Sequence, residues 1–117
     1  MLHSNLELVK HINDECEFIL KYTPNLTYDE YFKNELLLKA LERCLGIIGE
    51  AANKIDYEFA RNYPEVEWRK MAATRNIIVH NYTGIDYEVM WQIITEDIPE
   101  LEFQIKNILN EHDKKNS

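Results

Sequence analysis

The most chemically informative stretch of the sequence is residues 75–82, which reads Arg-Asn-Ile-Ile-Val-His-Asn-Tyr. An arginine presents a planar fork of N–H donors that matches the oxygens of a phosphate group. A histidine changes charge near neutral pH, so it can take a proton from a hydroxyl group or return one. Arg75 and His80 together therefore suit acid–base chemistry on a phosphate ester, and RNA supplies its own nucleophile, the 2'-hydroxyl.

Helical spacing determines how these side chains can meet. Arg75 and Tyr82 are seven residues apart and share a helix face, while Asn76 and His80 are four apart and can touch. Arg75 and His80 point roughly 140° away from each other, because a regular helix turns about 100° per residue. Either the helix loosens near His80, or two copies of the protein meet and each completes the other's site.

The same residues have structural interpretations. An arginine and a histidine on a helix are more often a salt-bridge donor and a hydrogen-bonded polar residue, and Tyr82 suits a half-buried aromatic position. Glu35, Glu42 and Glu50 are interpreted as solvated or structural. Three hypotheses therefore stay open from the residues: an RNA-cleaving enzyme, a non-catalytic module that holds a nucleotide or phosphate, and a plain helical dimerisation protein.

Composition sets limits on these hypotheses. The chain has 117 residues, the size of one domain, and only 3 glycines and 3 prolines, which favours long helices. Its formal net charge is -8, from 21 acidic and 13 basic residues. Because nucleic-acid binding draws on lysine and arginine, any contact with RNA must be local, in a cleft whose field differs from the molecular average.

The cysteines and the apolar runs point to a cytoplasmic protein. Cys16 and Cys44 lie far apart and form no CxxC pair, so we expect buried thiols rather than zinc ligands, and we predict no metal or other cofactor. No apolar run approaches the length of a membrane span, and the N-terminus lacks the pattern of a signal peptide. These patterns predict a soluble protein in a reducing cytoplasm, with no membrane partner.

Apolar residues that recur at steps of three and four predict four helices. The predicted buried stripes are Val9, Ile12, Cys16 and Ile19 in the first helix, Leu38, Leu41, Leu45, Ile48, Ala52, Ile55 and Phe59 in the second, and Tyr87, Trp91, Ile94, Ile98, Leu101, Ile105 and Ile108 in the fourth. The first covers residues 4–21, and the second opens at Thr27, which has capping-box spacing to Glu30, and runs to about residue 59. The third begins near residues 63–65 and stops before Gly84, and the fourth starts at Asp86 as N-cap. Pro99 lies inside the fourth, so this helix either kinks there or breaks near residue 97.

The four segments predict an all-α fold, an antiparallel four-helix bundle that forms one domain over residues 1–117. Its core is expected over about residues 5–110, with a frayed tail over 112–117. Gly46 and Gly49 lie on a small and polar stripe of the second helix. They either let another helix or a second subunit approach closely, or they are two tolerated glycines on a solvent-exposed face.

The spacing Arg75-x4-His80-x-Tyr82 resembles the signature of the HepT-like branch of the HEPN superfamily. Residues 41–44 (LERC) and 47–52 (IIGEAA) are similar to the second helix of that family. Residues 66–69 (VEWR) and 84–87 (GIDY) are similar to the segments before and after its motif, and Trp91 with residues 97–101 (DIPEL) is similar to its last helix. The resemblance covers about residues 5–110.

This resemblance implies a homodimeric, metal-independent endoribonuclease toxin with its motifs in a shared cleft. Arg75 and His80 would be catalytic, and Asn76 matches the polar position that follows the arginine. The implied antitoxin is a nucleotidyltransferase of the MNT type, which would transfer AMP onto Tyr82. Bulky anionic groups beside Arg75 would then repel RNA. In the alternative, the chain is a non-catalytic nucleotide- or phosphate-binding subunit of that nucleotidyltransferase.

Overall fold

The computed structural model describes residues 4–76 and 85–115, within which all regular secondary structure is helical. The helices are α1 (Asn5–Tyr22), α2 (Tyr28–Lys33), α3 (Glu35–Lys54), α4 (Tyr57–Ala60), α5 (Trp68–Ala73), α6 (Tyr87–Gln92) and α7 (Ile98–Lys115), with a π-helical turn at Ile93–Asp97. The predicted all-α class is confirmed. Within the same residues, every helix is too short or too polar to span a bilayer.

The helices form a bundle in which α1 lies between α3 and α7, and α3 also packs on α5. The direction of α1 relative to α3 is antiparallel, because Asn5 at the start of α1 meets Asp56 just beyond the end of α3. The Asp56 N–H donates to Asn5 Oδ1 at 3.0 Å, and Asn5 Nδ2 donates to Asp56 Oδ2 at 3.2 Å. The bundle that periodicity predicted is therefore present.

The predicted core stripe of the first helix is confirmed. That of the second is confirmed as far as Ala52, beyond which Ile55 and Phe59 are only partly buried. The N-cap Ser4 accepts the Glu7 N–H at 3.1 Å, which begins α1 close to the predicted position. The buried positions are Val9, Ile12, Cys16 and Ile19 of α1 and Leu38, Leu41, Leu45, Ile48 and Ala52 of α3. Burial raises the pKa of both Cys16 and Cys44 to about 12, so both thiols are protonated at neutral pH.

The second predicted helix is wrong in one respect, because it is divided into α2, α3 and α4. The capping box of Thr27 and Glu30 is present, but Asn34 takes a non-helical conformation and its side chain accepts the Leu37 N–H at 3.0 Å. An asparagine side chain competes with the helical ladder in this way. At the other end, Ile55 is extended, and Asp56 donates to Asn5 rather than to a helical carbonyl.

The third predicted helix begins later than expected, at Trp68 rather than near residues 63–65. Side chains donate hydrogen bonds to two backbone carbonyl groups in this stretch, which in an earlier helical turn would accept from backbone N–H groups instead. Trp68 Nε1 donates to the Tyr63 carbonyl at 3.2 Å, and Gln104 Nε2 donates to the Glu65 carbonyl at 2.9 Å. The stretch before Trp68 therefore forms turns that pack on α7.

The fourth helix starts with Asp86 as N-cap, as predicted, and its irregularity lies near residue 97. The Ile98 N–H donates to the Ile93 carbonyl, five residues earlier, so a wide turn precedes Pro99. A proline lacks the N–H and crowds the carbonyl four residues before it, which a regular α-helix could not accommodate. Before this turn, Met90 is the fully buried residue, whereas Trp91 of the predicted stripe is only partly buried.

Helix α7 continues to Lys115, beyond residue 112 at which the sequence predicted a frayed tail. The reason is a contact outside the helix. The His112 ring stacks on Phe59 with 6.0 Å between ring centres, and His112 Nε2 lies 3.2 Å from the Tyr63 hydroxyl. These contacts hold the end of α7 to α4 and to the turn that follows α4.

Candidate active site

Thr74 fixes the end of α5 to α3. It is buried to 3% exposure, and its hydroxyl contacts the Met71 carbonyl at 2.7 Å and the Leu45 carbonyl at 3.1 Å. The first contact lies within α5, and the second crosses to α3. Because a buried hydroxyl is costly without a partner, this pair of contacts sets where the chain leaves α5. The next residue is Arg75.

Gly49 lets the backbone of Arg75 lie directly on α3. A Cβ atom at position 49 would stand 2.9 Å from the Arg75 backbone nitrogen, 3.0 Å from Arg75 Cβ and 3.0 Å from Thr74 Oγ1. These distances are shorter than ordinary contacts between heavy atoms. The interpretation that a glycine in this stripe allows another segment to approach closely is therefore confirmed at Gly49.

The Arg75 guanidinium lies at the surface beside Glu50, which also pairs with Lys54. Arg75 Nη1 is 3.6 Å from Glu50 Oε2, and Glu50 Oε1 is 3.6 Å from Lys54 Nζ. The Arg75 side chain is 39% exposed. At 3.6 Å the contact is an ion pair but not a short hydrogen bond. The guanidinium is therefore held near a carboxylate while remaining accessible to a phosphate group from solution.

Some of the predicted site residues are among the residues that the structure describes, and the others are not. Arg75 lies in a turn after α5, and Asn76 follows it as an exposed residue. His80 and Tyr82 lie outside the described residues, so their predicted roles stay predictions. Arg75 does not continue α5, which ends at Ala73. Residues 77–80 lie outside the described residues, so the 140° separation between Arg75 and His80 stays a prediction.

Tyr87 fixes the chain to α3 again after the motif. Its hydroxyl donates to Glu42 Oε1 at 2.9 Å, and this hydrogen bond is the main reason that its pKa is raised. The Tyr87 carbonyl accepts the hydroxyl of the buried Tyr31 at 2.9 Å. The segments before and after residues 77–84 thus both bond to α3. Thr74 contacts the Leu45 carbonyl, and Tyr87 donates to the Glu42 carboxylate.

Glu42 and Glu50 contact the flanks of the motif, which sequence reasoning did not predict. Spacing within α3 marks their face but carries no information about which residues of a later segment lie against it. The one available signal was Gly49 beside Glu50. Over residues 4–76 and 85–114, no group of three or more histidine, cysteine or acidic side chains is arranged to hold a metal ion.

Comparison with known proteins places the chain in a family. The family model described as Ribonuclease HepT-like matches residues 12–108. A protein named "Putative RNase TTE0752" from Caldanaerobacter subterraneus subsp. tengcongensis is 37% identical over 101 residues, which cover 86% of this chain and 90% of that protein. The search of solved structures found no match to this chain.

Two further relatives come from archaea. "Putative RNase MJ1380" of Methanocaldococcus jannaschii is 36% identical over 100 residues, covering 86% of this chain and 88% of that protein. "Probable ribonuclease HepT" of Thermococcus cleftensis is 32% identical over 108 residues, covering 92% and 98%. The resemblance inferred from the motif and its flanks is thereby confirmed, and the chain belongs to the HepT-like ribonuclease family.

Proposed function

We propose that this chain is a metal-independent endoribonuclease, with Arg75 and His80 as its catalytic residues and Asn76 as a supporting polar residue. The observation that carries the proposal is the accessible Arg75 guanidinium, held on α3 by Gly49 and Glu50. The names of the relatives support RNA as substrate. The planar guanidinium suits two oxygens of one phosphate and would stabilise the charge that develops there during cleavage.

The proposed reaction uses only groups of the RNA and of the chain. His80 accepts the proton of a 2'-hydroxyl, and the 2'-oxygen forms a bond to the adjacent phosphorus. The bond from phosphorus to the 5'-oxygen breaks, and His80 returns the proton to that oxygen. The products are a 2',3'-cyclic phosphate and a free 5'-hydroxyl, and Arg75 offsets the added negative charge between these steps.

The test is cleavage of RNA by the purified chain in the presence of a metal chelator. We expect 2',3'-cyclic phosphate ends from the wild type and a loss of roughly 10²–10⁴-fold for His80→Ala, which removes the acid–base group. Equal cleavage by both proteins would identify a contaminating nuclease and end the proposal. Tight phosphate or nucleotide binding without cleavage would instead favour the non-catalytic subunit.

We also propose that the chain acts as the toxin of a toxin–antitoxin pair and as a homodimer whose two motifs share a cleft. Its partner would be a nucleotidyltransferase of the MNT type. The Tyr82 oxygen would attack the α-phosphate of ATP, releasing pyrophosphate and leaving AMP on the tyrosine. The added phosphate is negative and bulky, so it would compete with RNA for Arg75.

The tyrosine assignment predicts a specific change in mass. After co-expression with the nucleotidyltransferase, intact-mass measurement should show added AMP on the wild type and none on Tyr82→Phe. Tyr57→Phe is the matched control, because Tyr57 is 78% exposed and lies on α4, outside the motif. This control should keep the adduct. An adduct that survives in Tyr82→Phe would reject the assignment.

A further inference from the structure

A groove of about 590 Å³ lies between α1 and α3, and Glu50, the ion-pair partner of Arg75, is one of its lining residues. Its floor is apolar, with Leu8 and Ala51 buried at the base and Gly46 and Ile47 partly exposed. Its rim is charged and carries the cations Lys39, Arg43 and Lys54, the carboxylates Glu42 and Glu50, and His11. The groove thus combines an apolar surface with charged edges.

Lys39 and Arg43 are two neighbouring cations of this rim. They lie one helical turn apart on the exposed face of α3, and like charges at this spacing destabilise a helix. In the part of the chain that the structure describes, neither has an acidic group within ion-pairing distance, whereas Lys33, Lys70 and Lys106 each do. Two adjacent cations without an acidic partner, on the rim of an apolar groove, form a site that suits an external anion.

The groove is continuous with the candidate active site through Glu50. This carboxylate lines the groove and also contacts Arg75. Arg43 lies seven residues before Glu50 on the same helix, which corresponds to about 10 Å along the axis. An extended polyanion with one phosphate at Arg75 therefore has a direct path to the Arg43 and Lys39 side chains.

We infer that this groove binds single-stranded RNA adjacent to the phosphate that is cleaved, an inference that rests on the proposed function. Lys39 and Arg43 bind backbone phosphates, and the apolar floor receives a base. Cationic grooves with an apolar surface for bases are how proteins hold single strands without reading their sequence. The groove also supplies the local positive field that a chain of net charge -8 needs in order to bind RNA.

A second copy of the chain is the weaker occupant. A two-fold contact through this face would present the same residues, so Lys39 and Arg43 would need Glu42 and Glu50 of the other copy. These carboxylates already have partners within their own chain. Glu42 accepts from Tyr87, and Glu50 pairs with both Lys54 and Arg75. A phosphate backbone has no such prior partner.

The test measures binding separately from cleavage. A fluorescent single-stranded oligonucleotide with 2'-O-methyl groups cannot be cleaved, and its anisotropy reports affinity at several salt concentrations. For the double variant Lys39→Ala/Arg43→Ala, we expect the slope of log affinity against log salt to fall by about 1.4, because each single-strand phosphate contact contributes about 0.7. The same loss corresponds to roughly 25-fold weaker binding near 0.1 M salt.

The matched control is Lys33→Ala/Arg61→Ala, which removes the same charge from exposed positions away from the groove. It should keep the wild-type slope. An unchanged slope in the groove variant, with a wild type that still binds and cleaves RNA, would overturn the inference alone. Conversion of a dimer into a monomer by the groove variant, seen by light scattering, would also overturn it and assign the face to a second copy. A wild type that neither binds nor cleaves RNA would refute the proposed function itself.

Discussion

Replacing Arg75 with lysine should lower the rate of RNA cleavage by roughly 10²–10³-fold, the usual cost of removing one group that stabilises a developing oxyanion. Lysine keeps the positive charge but loses the planar fork that bonds two phosphate oxygens at once. The free energy of unfolding should change by less than about 1 kcal/mol, because the ion pair of Arg75 with Glu50 is partly exposed and 3.6 Å long.

The measurement is single-turnover cleavage together with urea unfolding of the same protein. Arg61→Lys is the matched control, since Arg61 also pairs with a carboxylate, that of Glu58, at 3.7 Å on an exposed surface. We expect this control to match the wild type in both measurements. An Arg75→Lys protein that cleaves within a few-fold of the wild-type rate would show that charge alone suffices and that the guanidinium fork has no role.

The substitution Gly49→Ala should be both destabilising and inactivating, although alanine is the better helix former. Helix propensity alone would stabilise α3 by about 1 kcal/mol. The new Cβ, however, would stand 2.9 Å from the Arg75 backbone nitrogen and 3.0 Å from Thr74 Oγ1. Relieving this overlap requires the end of α5 to move off α3, at a cost of about 1–3 kcal/mol.

That movement is expected to reach the candidate active site. The Thr74 bond to the Leu45 carbonyl would lengthen, and Arg75 would shift with it. A displacement of about 1 Å in a catalytic group can lower a rate 10²-fold. Asn53→Ala is the control, because Asn53 is an exposed residue of α3. If Gly49→Ala were more stable than the wild type and equally active, the close approach of the two segments would not position Arg75.

The parts of the fold that follow from local rules were predicted well from the sequence. The capping groups Thr27 and Asp86 satisfy backbone N–H groups within their own first turns, and the buried stripes of α1, α3 and α7 repeat at helical spacing. These features depend on residues three or four positions apart, so the sequence displays them directly.

The helix boundaries that the sequence did not predict depend on distant partners. The end of α3 is set by Asn5, 51 residues away from Asp56, and the stretch before α5 is held by Gln104 of α7. Apolar periodicity continues through both places, because the side chains still face the core. The apolar spacing therefore predicted correctly which side of the chain faces the core, and predicted wrongly that the helices continue through these places.

In the candidate site, too, the features that depend on packing between helices could not be predicted from the sequence. Arg75 was predicted from its chemistry. The structure places its side chain partly exposed beside Glu50 of α3, and its catalytic role stays a prediction. Glu50 and Gly49 entered the site only through the packing of α5 on α3, which spacing within a single helix does not reveal. His80 and Tyr82 stay predictions that rest on the family motif.

The π-helical turn at Ile93–Asp97 changes the direction in which the side chains of α6 point relative to those of α7. A wide turn accommodates about one more residue than an α-helical turn, so a regular helix there would rotate α6 by about 100° relative to α7. Such a rotation would carry Tyr87 away from Glu42 and would bring Met90 out of the interior. The extra residue therefore lets one continuous segment direct Tyr87 toward Glu42 and Met90 into the interior while the buried side chains of α7 also face the core. A uniform helix could not do both.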